Sequence, residues 1–339
     1  MTCASAFILR REDLVPLLEE LAGTVEVVAP VRIEGEAAFA TWRGRALALE
    51  ADNPLASPVE FFLPKKEVLF RYVQYSGRYT FSEDPPKSRL IFGMRPCDLR
   101  ALKVIDGIFG ADIPDLPYAG RRRSTIIVAL NCTSPGEGCF CRSMGSGPGA
   151  AEGYDLLLTD LGRSYLVEAG SPAGVYILRA HKRHFEEADP EDIRVKERLL
   201  ALAEEEMIKR GGGPSPNPEK IREAIDEVDW EEAGRRCLRC GGCSLVCPVC
   251  HCFSVTDQGV PDGERLRCRD TCILSGFSRM TSGANPRPGL GERLRHWHKD
   301  KFVYIPEKTG LFGCVGCGRC NRVCLGEVDR WSPFREAAE

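Results

Sequence analysis

The sequence has no long apolar run and no marked excess of either charge. Its 339 residues include 46 basic and 49 acidic side chains, which gives a formal net charge of −3. A chain so nearly balanced lacks the basic surface with which proteins bind nucleic acid, so we expect no nucleic-acid partner. No stretch approaches the roughly 20 apolar residues of a transmembrane helix, and residues 1–11 have no apolar signal segment. These absences predict a cytoplasmic protein without a membrane span.

Motifs of a nucleotide-dependent enzyme are also missing. The sequence has no flavin fingerprint, no nucleophile beside an evident base, and no repeat of 20 to 50 residues. The glycines of Gly145-x-Gly147-x-x-Ala150 match a dinucleotide fingerprint only formally, because no strand precedes them and Pro148 would break the helix that should follow. We therefore expect no catalytic residue in this chain.

What the sequence does have is cysteine. It contains 17, and twelve of them lie between Cys237 and Cys324. In a reducing compartment so many cysteines favour metal or redox chemistry over disulfides. The segment Gly-Gly-Gly-Pro-Ser-Pro-Asn-Pro at 211–218 is typical of a linker, because its prolines forbid a helix. We expect a mixed α/β domain over 1–210, this linker, and an α-helical dicluster ferredoxin domain over 219–339.

The pattern Cys-x2-Cys-x2-Cys-x3-Cys occurs twice, at 237–247 and 314–324. Three cysteines at this spacing hold three corners of a [4Fe–4S] cubane, and the fourth ligates the other cluster. Zinc is the alternative, but zinc ribbons use two well separated Cys-x2-Cys pairs. The predicted ligand sets are therefore crossed: one cluster takes Cys237, Cys240, Cys243 and Cys324, and the other takes Cys314, Cys317, Cys320 and Cys247.

The residues between the two runs exceed what a compact two-cluster ferredoxin needs. Segments 271–280 and 290–300 have helical character, which favours helices that bracket the clusters. His296 and His298 flank Trp297, and we expect surface or supporting roles for both because each cluster already has four thiolates. Four more cysteines provide either a further cluster or, as we favour, structural or sulfur-handling thiols: Cys250, Cys252, Cys268 and Cys272. Cys3 is expected to have no role.

The first part of the chain also has enough cysteines for a cluster. A strand at 89–93 and a strand at 125–130 are each followed closely by a cysteine, and the carboxyl ends of strands are where ligands bind in open α/β sheets. Asp98 is a possible oxygen ligand in place of one thiolate. The alternative is that these are buried, inert thiols. We favour a third [4Fe–4S] cluster, with Cys97, Cys132, Cys139 and Cys141 as its ligands.

Four stretches together resemble one known family. They are Phe92-Gly-Met-Arg-Pro-Cys-Asp98, Asn131-Cys132 through Cys139-Phe-Cys141 to Pro148, Cys247-Pro-Val-Cys-His-Cys-Phe253, and Cys314-Val-Gly-Cys-Gly-Arg-Cys320. The sequence is similar, over nearly its whole length, to the iron–sulfur subunits that include the beta subunit of sulfhydrogenase-type NiFe hydrogenases and the corresponding subunit of anaerobic sulfite reductase. It departs from their pattern at Leu325, where a proline usually follows the fourth cysteine, and at Cys268, where a tryptophan is expected.

The resemblance implies an electron-transfer subunit of an anaerobic redox complex. Such a subunit relays electrons between a flavoprotein diaphorase subunit, which uses a nicotinamide, and a hydrogenase or reductase subunit. The alternative from the residues themselves is a thiol, disulfide or sulfur reductase that works at a cluster, since surplus cysteines accompany the ligands. The basic runs 121–123 and 235–236 are solvated faces or a docking surface for an acidic partner.

Overall fold

The computed structural model describes residues 6–50, 53–210 and 217–331. Cys3 and residues 211–216 of the predicted linker lie outside these ranges. Strands from both parts of the chain build two sheets. The strands are β1 (Phe7–Arg10), β2 (Glu26–Ile33), β3 (Glu36–Thr41), β4 (Lys66–Tyr75), β5 (Arg78–Ser82), β6 (Arg89–Met94), β7 (Thr125–Leu130), β8 (Leu156–Asp160), β9 (Ser164–Ala169), β10 (Phe185–Glu187), β11 (Phe253–Gln258) and β12 (Gly263–Arg269).

The larger sheet has eight strands in the order β10-β1-β9-β8-β7-β6-β2-β3. Its centre, from β2 through β6 and β7 to β8, is parallel, and the strands on both sides of that centre run antiparallel. The central strand β7 reads Thr-Ile-Ile-Val-Ala-Leu and is almost wholly buried. A parallel strand covered on both faces has this continuous apolar pattern. The expected α/β character of the first part is thus confirmed in its sheet.

Helices cover both faces of that sheet and surround the cysteine runs. Several begin with a proline in their first turn, where its missing N–H costs no hydrogen bond. Within the described ranges, no helix has the length and apolar character needed to cross a membrane. The helices are α1 (Leu14–Ala22), α2 (Pro96–Phe109), α3 (Leu116–Arg123), α4 (Pro172–Ala180), α5 (Pro190–Lys209), α6 (Pro218–Glu227), α7 (Trp230–Ala233), α8 (Gly242–Leu245), α9 (Leu290–Lys299), α10 (Ile305–Thr309) and α11 (Arg319–Arg322).

Alternate residues of β6 enter two different cores, as the period of a strand requires. Leu90 and Phe92 pack with α1 and α4 on one face. Ile91 packs with α2 on the other face, in a core that continues past the sheet to Trp297 and Cys317. The apolar core that supports the larger sheet is therefore continuous with the core around the cysteine-rich part.

The second sheet joins the two parts of the chain through the order β11-β12-β4-β5. Hairpin β11–β12 lies between the two cysteine runs, and β12 pairs antiparallel with β4. Arg267 on β12 is buried and its Nε donates to Glu67 Oε1 of β4 at 2.6 Å; it also pairs with Asp115 at the start of α3. This buried charge network fixes the hairpin to the first part of the chain.

Two expectations for this region need correction. The stretch 271–280 is not helical but forms turns, since Ser275-Gly276 interrupts its apolar spacing. The helix expected at 290–300 is present as α9. The description of the whole second part as an α-helical ferredoxin domain is not confirmed, because the residues between the cysteine runs include the β11–β12 hairpin. The alternation Phe-Ser-Val-Thr in β11 is the period-two signal that predicts a strand there.

Candidate metal centres

The two cysteine runs share one local conformation. In each run, a glycine with positive φ precedes a short helix: Gly241, with φ of 74°, leads into α8, and Gly318, with φ of 70°, leads into α11. This left-handed conformation is one that glycine adopts without strain. The third cysteine of each run lies on the short helix and the fourth follows it. The fourth cysteine thus lies beyond the short helix that carries the third.

The first predicted ligand set surrounds one guanidinium group. Arg330 Nη2 lies 3.4 Å from Cys243 Sγ and 3.9 Å from Cys237 Sγ. Burial is the largest single influence on the pKa of Arg330 and lowers it, but Cys243, Cys237 and Cys324 together raise it above its ordinary value. The residues after Cys324 run directly against the first cysteine, because a Cβ on Gly326 would lie 2.1 Å from the Arg236 carbonyl oxygen. The structure thus brings the fourth cysteine of the second run to the first run.

Cys240, the remaining member of this set, is exposed, whereas Cys243 is buried. A Cβ on Gly242 would lie 3.6 Å from both Cys240 Sγ and a methyl group of Val323. Cys240 therefore lies beside the residue that precedes Cys324, at the surface of the protein. This corner of the first set is the one open to solvent.

The second predicted set is centred on Cys247, which is buried like Cys317, whereas Cys314 and Cys320 are partly buried. Its thiol interacts electrostatically with three cysteines of the second run, Cys314, Cys317 and Cys320. Burial raises the pKa of all three thiols, to about 12 for Cys314. At neutral pH these groups are thiols unless a metal replaces the proton, so metal binding would release protons here.

Two buried cations lie between the sets, and the sequence pattern predicted neither of them. Lys301 Nζ lies 3.3 Å from Cys247 Sγ and donates to the Gly313 carbonyl at 3.2 Å. Lys301 and Arg330 are 1% and 6% exposed, and they lie 4.8 and 5.7 Å from the centre of the Trp297 ring. The available signal was weak, since Lys301 follows the charged Lys299-Asp300 and only borders the apolar run Phe302-Val-Tyr-Ile305.

Of the two expected supporting histidines, His298 has a defined place. It is buried, and its ring nitrogens lie 2.9 Å from the Leu294 carbonyl oxygen and 3.1 Å from that of Arg330. Burial is the largest cause that lowers the pKa of His298 to about 4. A neutral ring has a single N–H and donates to one of these two carbonyls, and in either tautomer it lies between Leu294 and the backbone of Arg330 beside the first cysteine set. Burial also lowers the pKa of the less enclosed His296, whose ring centre lies 5.9 Å from that of Tyr304.

The four described cysteines of the first part, Cys97, Cys132, Cys139 and Cys141, line one small cavity. Helix α2 begins at Pro96, so Cys97 lies in the first turn of this helix. Gly147 packs closely against the thiols, since a Cβ there would lie 3.0 Å from Cys141 Sγ. The glycine-rich loop therefore contacts cysteine instead of forming a nucleotide site. Cys132 and Cys139 complete the four.

This cavity abuts the second cysteine run. Cys317 is among the residues that line it, and the Cys317 carbonyl oxygen lies 3.7 Å from Cys139 Sγ. The Phe140 N–H donates to the Gly316 carbonyl at 2.8 Å. Burial, followed by the neighbouring Cys132, raises the pKa of Cys139 to about 11. Thiols of the first part and of the second run thus share one environment.

Asp98 and Arg319 form an ion pair between the cavity and the second run. Both side chains are 0% exposed, and Arg319 Nη1 lies 2.7 Å from Asp98 Oδ1. Ser57 Oγ donates to the same carboxylate oxygen at 2.7 Å, and Arg319 Nε donates to the Pro54 carbonyl at 2.8 Å. The carboxylate of Asp98 therefore acts as the counter-ion of Arg319. This arginine lies within Cys317-Gly-Arg-Cys320, where an unusual charge between two ligands was the signal.

Of the remaining four thiols, three lie together and one lies apart on β12. Cys250 forms a hydrogen bond with Cys247, which is the largest cause that lowers the pKa of Cys247, and Cys252 forms one with Cys272. Cys250 and Cys272 also interact electrostatically, so these side chains are neighbours. Cys268 lies on β12, opposite a residue of β4 and one of β11. The structure thus brings together three of the four cysteines considered for a further cluster.

In the described part of the chain, no group of three or more His, Cys, Asp or Glu side chains is arranged to hold a metal ion. The ligand sets therefore rest on the chain spacing and on the shared contacts given above. The donor chemistry fits an iron–sulfur cluster, because all eight side chains of the two runs are thiols.

Comparisons with known proteins agree with this chemistry. Residues 236–328 match the family model of the 4Fe-4S dicluster domain. The chain is 30% identical over 299 residues to sulfhydrogenase 2 subunit beta of Pyrococcus furiosus, and the alignment covers 86% of this chain and 86% of that protein. The first comparison supports two [4Fe–4S] clusters, and the second spans both parts of the chain.

Proposed function

The chain belongs to the family of sulfhydrogenase beta subunits, and we propose that it relays electrons between a flavoprotein subunit that uses a nicotinamide and a terminal hydrogenase or reductase subunit. Its character as an iron–sulfur electron-transfer subunit of a hydrogenase-type complex follows from the family and the dicluster domain. The single observation that carries the relay is the meeting of the two cysteine runs: Cys247 interacts electrostatically with the first three cysteines of the second run, and the residues after Cys324 pack against Cys237.

The ligand sets that we propose are the crossed ones. Cys237, Cys240, Cys243 and Cys324 hold the first cluster, which is supported by the guanidinium of Arg330 shared among three of these thiols. Cys314, Cys317, Cys320 and Cys247 hold the second, which is supported by the electrostatic contact of Cys247 with all three of its partners.

A third cluster in the first part belongs to the same proposal. Four thiols line one cavity there, and Cys317 of the second set lines it as well. Cys320 of the second set interacts electrostatically with Cys243 of the first. The three sites therefore follow one another, from the cavity at the larger sheet through the second set to the first. That order supports a relay whose two ends lie in different parts of the chain.

Bound clusters supply one-electron transfer, and the chain's own residues determine where and under what conditions it takes place. The apolar core around Trp297 packs against the second set. The exposed Cys240 leaves the first set open at the surface, where a partner subunit would approach. The cavity lined by four cysteines opens beside the carboxyl ends of β6 and β7; they are Cys97, Cys132, Cys139 and Cys141. Each end of the relay thus has a surface of its own.

A second candidate is a disulfide or sulfur reductase with its own site. The specific observation in its favour is the contact between Cys252 and Cys272, two thiols outside both ligand sets. This pair adjoins Cys250, which contacts a proposed ligand. The two candidates differ in whether the chain reacts with a small molecule when no other subunit is present.

The test uses the anaerobically purified, cluster-loaded full chain with NADH or NADPH as donor and a viologen dye as acceptor. We expect negligible turnover by the chain alone and turnover once a flavoprotein partner is added. Rapid nicotinamide oxidation by the chain alone would refute the relay, and rapid disulfide reduction from a chemical reductant would favour the second candidate. We place the complex in the cytoplasm, because so many cysteines proposed as cluster ligands suit a reducing compartment in which disulfides are rare.

A further inference from the structure

Each of the two cysteine sets has one buried cation in contact with a thiol. Lys301 Nζ lies 3.3 Å from Cys247 Sγ of the second set. Arg330 Nη2 lies 3.4 Å from Cys243 Sγ of the first set. The side chains come from different segments, yet both are almost wholly buried and lie over the same indole ring, that of Trp297. The arrangement is therefore matched: one positive charge for each set.

The surroundings leave both charges directed at sulfur. The ion pairs of the described residues include neither Lys301 nor Arg330, although they include Lys299 and Arg319 nearby. Arg319 is also buried among thiols, but Asp98 neutralises it at 2.7 Å. Lys301 and Arg330 instead donate hydrogen bonds to thiol sulfur, and Lys301 donates a further one to the Gly313 carbonyl.

Cluster potentials depend on net charge, on hydrogen bonds to the sulfurs and on exposure to solvent. A cluster gains one negative charge when it accepts an electron, and a nearby cation stabilises that state more than the oxidised one. Burial strengthens the effect, because the interior has a lower dielectric response than water. All three conditions apply to these two side chains.

We propose that the buried cations Lys301 and Arg330 raise the reduction potentials of the two dicluster sites. Lys301 acts on the second set and Arg330 on the first. The inference rests on the proposed function, because it requires clusters at both sets. It concerns the energy of the electron at each site and needs no catalytic role for either side chain.

The test is a potentiometric titration of the cluster-loaded full chain, followed by electron paramagnetic resonance. We expect Lys301→Met to disfavour reduction of one cluster at least tenfold, which is about 59 mV for one electron, and Arg330→Met to do the same to a different cluster. The double variant should shift both. Lys301→Arg and Arg330→Lys keep the charge and should restore most of the wild-type potential.

Lys299→Met is the matched control. Lys299 lies two residues from Lys301, but its Nζ pairs with Asp226 at 3.0 Å and it contacts no thiol in the described residues. We expect this variant to leave both potentials unchanged. An equal shift in Lys299→Met would show that any lost charge acts at a distance and would overturn the assignment.

Iron content separates the different ways in which the test can fail. Wild-type chain without [4Fe–4S] signals would refute the proposed function itself. Fully loaded Met variants with unchanged potentials would refute only this inference. Because a neutral side chain can disturb packing, Lys301→Gln and Arg330→Gln accompany the Met variants. Loss of iron from both neutral variants at a site, with iron retained by its charge-keeping variant, would assign the cation to cluster assembly and overturn the proposal.

Discussion

Removal of the Asp98 carboxylate should destabilise the protein strongly. Asp98 and Arg319 are both fully buried, and their closest oxygen and nitrogen are 2.7 Å apart. Asp98→Ala leaves the guanidinium buried without its counter-ion and also removes the acceptor of the Ser57 hydroxyl. Breaking a buried pair by removing one partner costs about 3–5 kcal/mol. We therefore expect a loss of that order in the free energy of unfolding.

The structure suggests how the loss is divided. Arg319 keeps its bond to the Pro54 carbonyl, so part of its hydrogen bonding survives the substitution. Asp98→Ala combined with Arg319→Met removes both charges, and we expect the double variant to be more stable than Asp98→Ala alone, because no charge remains buried without a partner. This recovery distinguishes loss of charge balance from loss of packing.

The assay is anaerobic thermal unfolding followed by circular dichroism, at matched iron content. Apparent midpoints are compared, because bound clusters prevent a simple two-state treatment. Glu186→Ala is the control: it breaks the exposed pair with Arg10, whose side chains are 57% and 61% exposed, and should have no measurable effect. The reasoning about this ion pair is wrong if Asp98→Ala has the same unfolding midpoint as the wild type, or if the double variant has a lower midpoint than Asp98→Ala.

Three further predictions concern iron and pH. Cys247→Ser should lower the iron content by about four atoms per chain, whereas Cys250→Ser, which changes a neighbouring thiol outside both sets, should not. The double variant Cys139→Ser, Cys141→Ser should also lose about four irons and keep the dicluster signals. The depressed pKa of His298, about 4 in the folded protein against an ordinary 6.5, should make stability fall with decreasing pH between those values. In that range the unfolded chain binds a proton that the folded chain does not.

Each of these has a clear contrary outcome. Equal iron loss from the Ser variants at positions 247 and 250 would refute the assignment of Cys247, and not Cys250, to the second set. Unchanged iron in the double variant would leave the cavity thiols structural. For the pH prediction, His298→Gln is the comparison, and it should lose part of the acid sensitivity measured in the wild type by thermal unfolding. A variant with the full wild-type pH dependence would show that His298 contributes nothing to it.

Much of the larger sheet was predictable from local pattern. The apolar run 125–130 is a strand with those bounds, and α9 begins at Leu290, where the segment of helical character starts. The start of α2 was missed, because Pro96 reads as a turn residue although it is also a favoured first residue of a helix. The hairpin β11–β12 was missed because the helical expectation for its neighbours extended over it. Its pairing with β4 joins residues about 200 positions apart, which local pattern does not report.

The sequence by itself determined which side chains could bind iron. Spacing within each cysteine run depends only on the nearby backbone, so two cluster motifs and the family resemblance were readable without a fold, while the crossed fourth ligands stay a prediction from that spacing. Tertiary structure alone decided what surrounds those thiols. Lys301 and Arg330 reach Cys247 and Cys243 from 54 and 87 residues away, and Asp98 meets Arg319 across 221 residues. A charge has a strong effect on sulfur only where folding removes the water between them. The same folding brings the Cys97 cavity against Cys317, a neighbour that no spacing along the chain foretells.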